Sequence, residues 1–251
     1  MRSSERLLSG DGDGTRLYAA LVATGIGTLR EGPLHAAVKA ALALPGDRLE
    51  VPFGRFVIDL VRADGELVEI QTGGFGPLGR KLDALLDEHR MRIVMPVPAV
   101  RRIVRVDEHG EVLSARRSAR RGTAIDLFDR LVSWPTLIAH PNLTLEVLLC
   151  EEDHVRGPEA GRSRSGRRTR DPGERILRAI AGRVEIGGPE DLLSLLPDAA
   201  LAQPITTRSV GQELGVPRVL ATRVVYCLRE LELIERDGSS GRLPVYRLAA
   251  R

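Results

Sequence analysis

The stretch 65-GELVEIQTGG-74 holds a short apolar run, Leu67, Val68 and Ile70, that is interrupted by Glu69 and followed by Gln71. Alternate residues of a strand share a face, so the run predicts a strand with Glu69 and Gln71 on one side. A half-buried strand with one wet face is one interpretation of this alternation. A second interpretation depends on which residue of the neighbouring strand lies opposite Glu69.

The loop before this strand sets the register of a hairpin. If 63-ADG-65 forms a three-residue loop with its glycine in the left-handed conformation, Arg62 faces Glu66 and Asp59 faces Glu69. The Cβ atoms of the two acids would then lie roughly 4.5 to 5.5 Å apart, where like charges repel. A divalent cation offsets such repulsion, because Mg²⁺ or Mn²⁺ binds carboxylate oxygens and keeps positions open for water and phosphate.

A two-residue turn at 64-DG-65 is the alternative. It would set Asp59 opposite Ile70 and place the two acids on different faces of the sheet. The register of this hairpin therefore decides whether the sequence holds a metal site.

The patterns around the hairpin predict the order helix, three strands, helix, strand. The first helix begins at Pro33, which suits a first helical turn, and ends before Pro45-Gly46. An antiparallel meander is expected over residues 48–53, 55–62 and 66–72, then a second helix with the apolar stripe Leu78, Leu82, Leu85 and Leu86, then a strand over 91–97. Further strands are expected over 101–106, 111–114 and 143–149, and further helices over 125–138, 174–181 and 189–196.

The chain of 251 residues exceeds one average domain. We expect an N-terminal extension at 1–28, an α/β domain at 29–155, a basic linker at 156–173 and a smaller C-terminal domain at 174–251. The linker has no apolar periodicity and carries the arginines Arg162, Arg164, Arg167, Arg168 and Arg170.

Composition restricts the class of protein. Aromatic residues are only 3% of the chain, which disfavours proteins that stack several rings on unpaired bases. Cys150 and Cys227 stand far apart, so no disulfide framework or zinc-ligand spacing is indicated, and a cytoplasmic location is expected. The apolar run from Leu17 to Ile26 is too short to span a bilayer, so we expect no membrane association.

Asp59, followed ten residues later by Glu69-Ile70-Gln71 within this order of elements, resembles the PD-(D/E)xK nuclease superfamily. The resemblance covers roughly residues 29 to 100, and its layout is that of the Holliday-junction-resolvase and restriction-endonuclease branches. It implies that Asp59 and Glu69 ligate a metal ion, that the Ile70 carbonyl assists, and that Glu31 completes the site. More closely, the chain is similar to an uncharacterised bacterial family with no assigned activity.

One position departs from the pattern of the superfamily. Gln71 stands where the pattern has a lysine that orients the attacking water or stabilises charge on the phosphate, and an amide brings no positive charge. Lys81 on the next helix either replaces that lysine or is a solvated partner of Asp87 or Glu88. Glu31 directly precedes the first helix, so it can complement the helix dipole instead of binding metal.

Other motifs compete with this interpretation. The segment 74-GFGPLG-79 matches G-x-G-x-x-G between a strand and a helix, but no acid ends the next strand and no parallel series continues. Its glycines can simply free the backbone to turn sharply. The five histidines show no metal spacing, and His35 is expected to be a hydrogen-bonded structural residue.

Two regions are candidates for nucleic-acid binding. The first is a basic loop with Arg116, Arg117, Arg120 and Arg121, which is either a phosphate contact or a solvated loop. The second resembles a winged helix-turn-helix, with helices over 207–214 and 217–231 and a wing from Asp237 to Arg242. Its expected DNA contacts are Arg218, Thr222, Arg223, Arg229 and Arg242. Winged helices also serve as protein-docking modules.

The expected fold is α/β, a restriction-endonuclease-like core with a small C-terminal winged-helix domain. The expected function is Mg²⁺- or Mn²⁺-dependent hydrolysis of DNA phosphodiester bonds, with Asp59, Glu69, Gln71 and Lys81 as catalytic residues. The alternative is a non-catalytic DNA-binding or regulatory protein that keeps a degenerate nuclease fold. Many relatives of this fold dimerise, so a homodimer is one expected state.

Overall fold

Seven strands of the described chain form one mixed sheet, and a separate two-stranded sheet lies near the C-terminus. The computed structural model describes residues 31–158, 173–241 and 243–250. The predicted N-terminal extension at 1–28, the five linker arginines and Arg242 lie outside the described residues. The chain is a mixed α/β protein, as the sequence predicts at this level.

The large sheet has the strand order β1-β2-β3-β4-β6-β7, and β5 pairs with the far half of β4. Strands β1 to β3 form an antiparallel meander, β3, β4 and β6 run parallel, and β7 returns antiparallel to β6. The bounds are β1 Arg48–Phe53, β2 Phe56–Val61, β3 Leu67–Ile70, β4 Met91–Val106, β5 Val112–Arg117, β6 Leu143–Arg156 and β7 Glu174–Ile186.

Helices cover both faces of this sheet. The helix α1 packs on one face through Leu34, Val38 and Leu42, while Leu82 and Phe128 belong to the larger core on the other face. The bounds are α1 Pro33–Leu42, α2 Gly79–Leu85, α3 Phe128–Leu131, α4 Pro189–Ser194, α5 Thr207–Glu213 and α6 Arg218–Glu230. No helix in the described part of the chain is both long and apolar enough to cross a bilayer.

Strand β4 is much longer than the predicted strand at 91–97, because it continues through two prolines into the strand predicted at 101–106. Strand β3 ends opposite Val94. Pro96 and Pro98 therefore face the side that β3 has left, where a missing N–H costs no ladder bond. The register against β6 shifts just after Pro98, which bends the strand at this point.

The helix predicted over 174–181 is wrong. These residues begin β7, which pairs Glu174 with Val155 of β6. Ile176 and Ile180 recur at helical spacing, but pairing with the long strand β6 decides their conformation. The segment that precedes Glu174 therefore connects two adjacent strands of one sheet, whereas its composition predicts a linker between domains.

The helix predicted over 125–138 is broken. The structure has a 3₁₀ turn at Ala124–Leu127, then α3, then a second 3₁₀ turn at Pro135–Ala139. Pro135 cannot donate the helical hydrogen bond and its ring clashes with the preceding turn, so one long helix cannot form.

The C-terminal helices are followed by the hairpin of β8 Ile234–Ser240 and β9 Leu243–Leu248. Thr206 caps α5 by accepting a hydrogen bond from the Ser209 N–H at 3.0 Å. Gly215 has φ of 62° and forms the turn between α5 and α6. Ile205 pairs with Tyr246, which adds a third short segment to the hairpin.

Helix α6 packs against α3 and so joins the C-terminal helices to the large sheet. Val224 and Leu228 of α6 share one apolar core with Phe128 and Leu131 of α3. Arg223 Nη1 also lies 2.5 Å from Asp129 Oδ1. The helix predicted to contact DNA is therefore partly covered by the rest of the protein.

Candidate active site

The hairpin between β2 and β3 has the register that brings the two predicted acids together. Val61 pairs with Leu67, and the Arg62 N–H donates to Glu66 O at 2.9 Å. The loop between them has three residues, with Gly65 at φ of 87°. The two-residue turn is excluded. The paired residues end at Leu60 and Val68, and Asp59 and Glu69 are the next residues along the two strands.

Asp59 lies where β2 begins to separate from β3. Its Oδ2 accepts a hydrogen bond from the Ile70 N–H at 2.8 Å, and its Oδ1 lies 3.1 Å from His35 Nε2. Burial alone would raise the pKa of Asp59, but the hydrogen bonds from His35 and Ile70 lower it below its usual value. The Asp59 carboxylate is therefore held ionised and oriented from two sides.

Glu69 is a buried carboxylate beside Asp59. Burial, and then the negative charge of Asp59, raise the pKa of Glu69 to about 6, and the hydrogen bond from Lys81 only partly offsets them. Two neighbouring carboxylates repel each other when both are ionised, and a bound cation removes this repulsion.

Lys81 of α2 completes this group. Its Nζ donates to Glu69 Oε1 at 2.6 Å and to Val57 O at 2.8 Å. The side chains of Lys81 and Glu69 are 16% and 7% exposed, so the pair is largely shielded from solvent. The structure therefore excludes the solvated pairing with Asp87 or Glu88 and places Lys81 at the predicted site.

Glu31 reaches Asp59 only through His35. His35 Nε2 lies 3.4 Å from Glu31 Oε1, and Lys39 Nζ lies 2.7 Å from the same oxygen and 2.7 Å from Glu50 Oε1. Burial would lower the pKa of His35, but Asp59 and Glu31 raise it above 6.5. The sequence predicts His35 only as a hydrogen-bonded structural residue, and its position between Glu31 and Asp59 was missed, although Glu31, His35 and Lys39 follow one another at four-residue spacing.

Gln71 follows β3 and is tied to the glycine-rich loop. Its N–H donates to Val94 O at 2.8 Å, and its side-chain Nε2 donates to Gly74 O. Arg130 Nη1 donates to Gln71 O at 2.9 Å and to Gly73 O. Sequence reasoning also missed Arg130, because the contact joins residues that are far apart in the chain.

The loop after Gln71 is anchored by aromatic residues. Phe75 is fully buried, and its ring stacks on Trp134 with centroids 4.9 Å apart and an interplanar angle of 9°. The Trp134 Nε1–H donates to Phe75 O at 3.3 Å. A loop packed into the core in this way differs from the open, phosphate-facing backbone of a dinucleotide-binding motif.

The donor set fits a cation with few protein ligands. Within the described ranges, no group of three or more His, Cys, Asp and Glu residues is arranged to hold a metal ion. Asp59 and Glu69 alone supply two carboxylates, each with lone pairs beyond those used in hydrogen bonds. Mg²⁺ is commonly bound by one or two carboxylates, waters and substrate phosphates. Ile70 is the last residue of β3 and lies next to both acids.

The predicted basic loop is an exposed surface. Arg116 and Arg117 lie on β5, all of whose residues are exposed. The loop that follows carries Arg121, which is exposed, and Arg120, whose guanidinium lies 3.0 Å from Asp126. This edge of the sheet is strongly positive and open to solvent.

The residues of α6 that are predicted to contact DNA differ in solvent exposure and in ion pairing. Arg218 and Thr222 are exposed, whereas Arg223 is paired with Asp129. Arg229 pairs with Glu230 at 2.6 Å and lies over the Tyr226 ring. A cavity of about 460 Å³ lies between α5, the start of α6 and β9, with Arg208, Gln212, Arg218 and Leu243 in its wall.

The cysteines take no part in these sites. Cys150 and Cys227 are both buried and free. Burial raises the pKa of their thiols to about 11 and about 12, so both are protonated at neutral pH.

Comparison with known proteins places the chain among relatives without an assigned activity. A protein of Treponema pallidum (strain Nichols) named "Uncharacterized protein" is 27% identical over 232 residues, which are 88% of this chain and 87% of that protein. No solved structure matches. The family profile that matches residues 32–187 ends just after β7 and is described as "Domain of unknown function (DUF8091)". The chain belongs to this family.

Proposed function

We propose that the chain is a metal-dependent endonuclease that hydrolyses DNA phosphodiester bonds. The observation that carries the proposal is the meeting of Asp59, Glu69 and Lys81 at the end of β3. Asp59 raises the pKa of Glu69, and Lys81 Nζ lies 2.6 Å from Glu69. Perturbed acids beside a lysine are typical of sites that perform chemistry.

The order of elements supports a restriction-endonuclease-like core. Helix α1, the meander β1 to β3, helix α2 and the parallel strand β4 follow one another as in the PD-(D/E)xK layout. The acids lie on β2 and β3 at the point where the two strands separate. The fold alone does not establish an activity, so the proposal depends on the side chains at this point.

Asp59 and Glu69 would hold Mg²⁺ or Mn²⁺, with the Ile70 carbonyl as the third protein ligand. The cation supplies charge stabilisation for the attacked phosphate and lowers the pKa of bound water. His35 holds Asp59 in its ionised form, and Glu31 supports His35 from the other side. Glu31 thus acts through His35 instead of as a direct ligand.

Lys81 would provide the positive charge that Gln71 lacks. Its ammonium lies against Glu69, so a phosphate bound beside Glu69 would also be near this charge. Because Gln71 Nε2 donates to Gly74 O, its Oε1 remains to accept a hydrogen bond from water and orient that water. Lys81 would supply the positive charge and Gln71 would orient the water, two roles that a single lysine has in the superfamily pattern.

Two basic surfaces would bind DNA. The exposed arginines of β5 and the following loop supply phosphate contacts, which are salt-dependent and independent of sequence. The C-terminal helices and hairpin form a proposed winged helix, with Arg218 and Thr222 at the accessible end of α6. Arg229, Arg223 and the wing residue Arg242 complete the proposed set.

A non-catalytic DNA-binding or regulatory protein is the second candidate. It is favoured by Gln71 at the lysine position and by the close pairing of Lys81 with Glu69, which also stabilises a site without a cation. In this account the fold is a scaffold and the proposed winged helix performs recognition.

Titration of Mg²⁺ with supercoiled, branched and single-stranded DNA separates the two candidates. The nuclease proposal predicts cleavage that depends on metal and is lost in Asp59→Asn, while Asp83→Asn, an exposed acid on α2, retains it. Binding that is unaffected by either substitution, without cleavage of any DNA form at any metal concentration, would favour the second candidate.

A further inference from the structure

Arg130 of α3 lines a cavity of about 170 Å³ beyond the end of β3. One of its nitrogens, Nη1, holds the carbonyls of Gln71 and Gly73. No carboxylate in the described part of the chain forms an ion pair with this guanidinium. The two nearby acids are engaged elsewhere, because Asp126 pairs with Arg120 and Asp129 pairs with Arg223.

The cavity has a surplus of positive charge. Arg101 and Arg175 also line it, and both pair with the buried carboxylate of Glu152, at 2.6 and 2.7 Å. Together with Asp126, Asp129 and their partners, these groups are five arginines and three carboxylates, so the cluster has a net charge of +2. Burial, and then the positive charge of Arg175, lower the pKa of Arg130, and the negative charges of Asp126 and Asp129 only partly offset this shift.

One wall of the cavity is a loop that packs closely on β4 at Gly122. The Gly122 N–H donates to Pro98 O at 2.8 Å, which lays the loop directly on β4. A Cβ atom at Gly122 would lie 2.5 Å from Val97 Cγ1 and 2.9 Å from Pro98 O. The cavity of about 170 Å³ corresponds to roughly six waters at ~30 Å³ each, which is enough space for one phosphate group.

We propose that this cavity binds a phosphate group, with Arg120, Arg130 and Arg175 as the donors. Guanidinium groups match the geometry of phosphate oxygens and remain charged at all relevant pH values. The phosphate belongs either to the end or backbone of a nucleic-acid strand or to a free phosphate anion. The site needs no metal and differs from the one at Asp59 and Glu69.

Its use by a nucleic-acid strand rests on the proposed function. Gln71, whose carbonyl accepts from Arg130 at 2.9 Å, is two residues beyond Glu69, so Arg130 is tied to the segment that directly follows the proposed metal site. A phosphate at Arg130 would fix the register of the strand relative to Glu69.

The test measures binding in EDTA, so its outcome is independent of cleavage. Fluorescence anisotropy follows a short single-stranded oligonucleotide with either a 5′-phosphate or a 5′-hydroxyl, with inorganic phosphate as competitor. Arg130→Lys keeps the charge but loses the fork of donors, and Arg120→Ala removes a side chain that is 73% exposed and does not threaten folding. Arg105→Ala, an exposed arginine of the same β4 strand, is the matched control.

We expect inorganic phosphate to compete, and both cavity variants to weaken binding about tenfold while Arg105→Ala does not. Preference for the 5′-phosphate would identify a strand end as the source, and equal binding of both oligonucleotides would identify the strand backbone. Binding of inorganic phosphate alone would identify the free anion. Binding of all three probes that is the same in Arg120→Ala, Arg130→Lys and the wild type, or no binding at all, overturns the proposal.

Discussion

Lys81 Nζ lies 2.6 Å from Glu69 Oε1 and 2.8 Å from Val57 O, so α2 is tied to both β2 and β3 where the two acids meet. Gln71 is turned to the loop and bonded to Gly74. The pair is therefore the structural reason to treat Lys81, and not Gln71, as the source of positive charge.

Lys81→Met should abolish most of the cleavage proposed for this protein. Removal of one charged donor from a site of this kind typically costs about a hundredfold in rate or more. The pKa of Glu69 should rise further, because Lys81 is one of the groups that lower it. Cleavage kinetics and the carboxyl ¹³C shift of Glu69 check both expectations, with Asp83→Asn as the control on the same helix. Cleavage at the rate of the wild type would remove Lys81 from the mechanism.

Stability should fall as the pH rises through the raised pKa of Glu69. The folded protein holds the proton more tightly than the unfolded chain, since the pKa is about 6 against 4.5. The proton on Glu69 stabilises the folded protein fully below pH 4.5. This stabilisation is lost as the pH rises through 6, which lowers the free energy of unfolding by about 2 kcal/mol.

Denaturant unfolding of Glu69→Gln between pH 4 and 8 isolates this effect, since the variant lacks the titration. Relative to the wild type, the variant should gain stability as the pH rises. The lowered pKa of Asp59 has the opposite effect, because its stabilisation is lost as the pH falls below 3.8. The pH range in which Asp59 titrates therefore does not overlap that of Glu69. Saturating Mg²⁺ should prevent the wild type from losing stability as the pH rises. A constant difference between the two proteins across this range would show that Glu69 is not perturbed.

His35→Gln should slow cleavage through Asp59. It removes a hydrogen bond and a charge that lower the pKa of Asp59, so the acidic limb of the pH–rate profile should move to higher pH. The contact between His35 and Asp59 stabilises the fold fully below pH 6.5. This stabilisation is lost as the pH rises through the raised pKa of His35. His109→Gln, an exposed histidine, should leave the profile unchanged. A reduced rate without any shift of the profile would assign His35 a merely structural role.

Phe75→Ala should destabilise the whole protein by about 3 to 5 kcal/mol, as expected for loss of a fully buried ring. The contact joins the loop after β3 to the segment that follows α3, so the loss is felt in the core. Trp134 is the single tryptophan of the chain and stacks on this ring, so its fluorescence reports unfolding. A loss below about 1 kcal/mol would mean that the loop is not anchored in solution.

The sequence predicts the elements near the hairpin and limits its register to two alternatives, because these depend on local signals. The structure has the three-residue loop, with Gly65 in the left-handed conformation. Residues 174–181 of β7 are wrongly predicted as a helix, because their pairing with β6 is not visible in the local sequence. The roles of Arg130 and His35 also depend on contacts across the fold, with Gln71 and Asp59 respectively.

The central claim is that Asp59 and Glu69 together hold a divalent cation, and calorimetric titration with Mn²⁺ tests it most directly. We expect one site per chain in the wild type and in Asp83→Asn, and loss of that site in both Asp59→Asn and Glu69→Gln. Equal binding of Mn²⁺ by all four folded proteins, or no binding by the wild type, would contradict the claim.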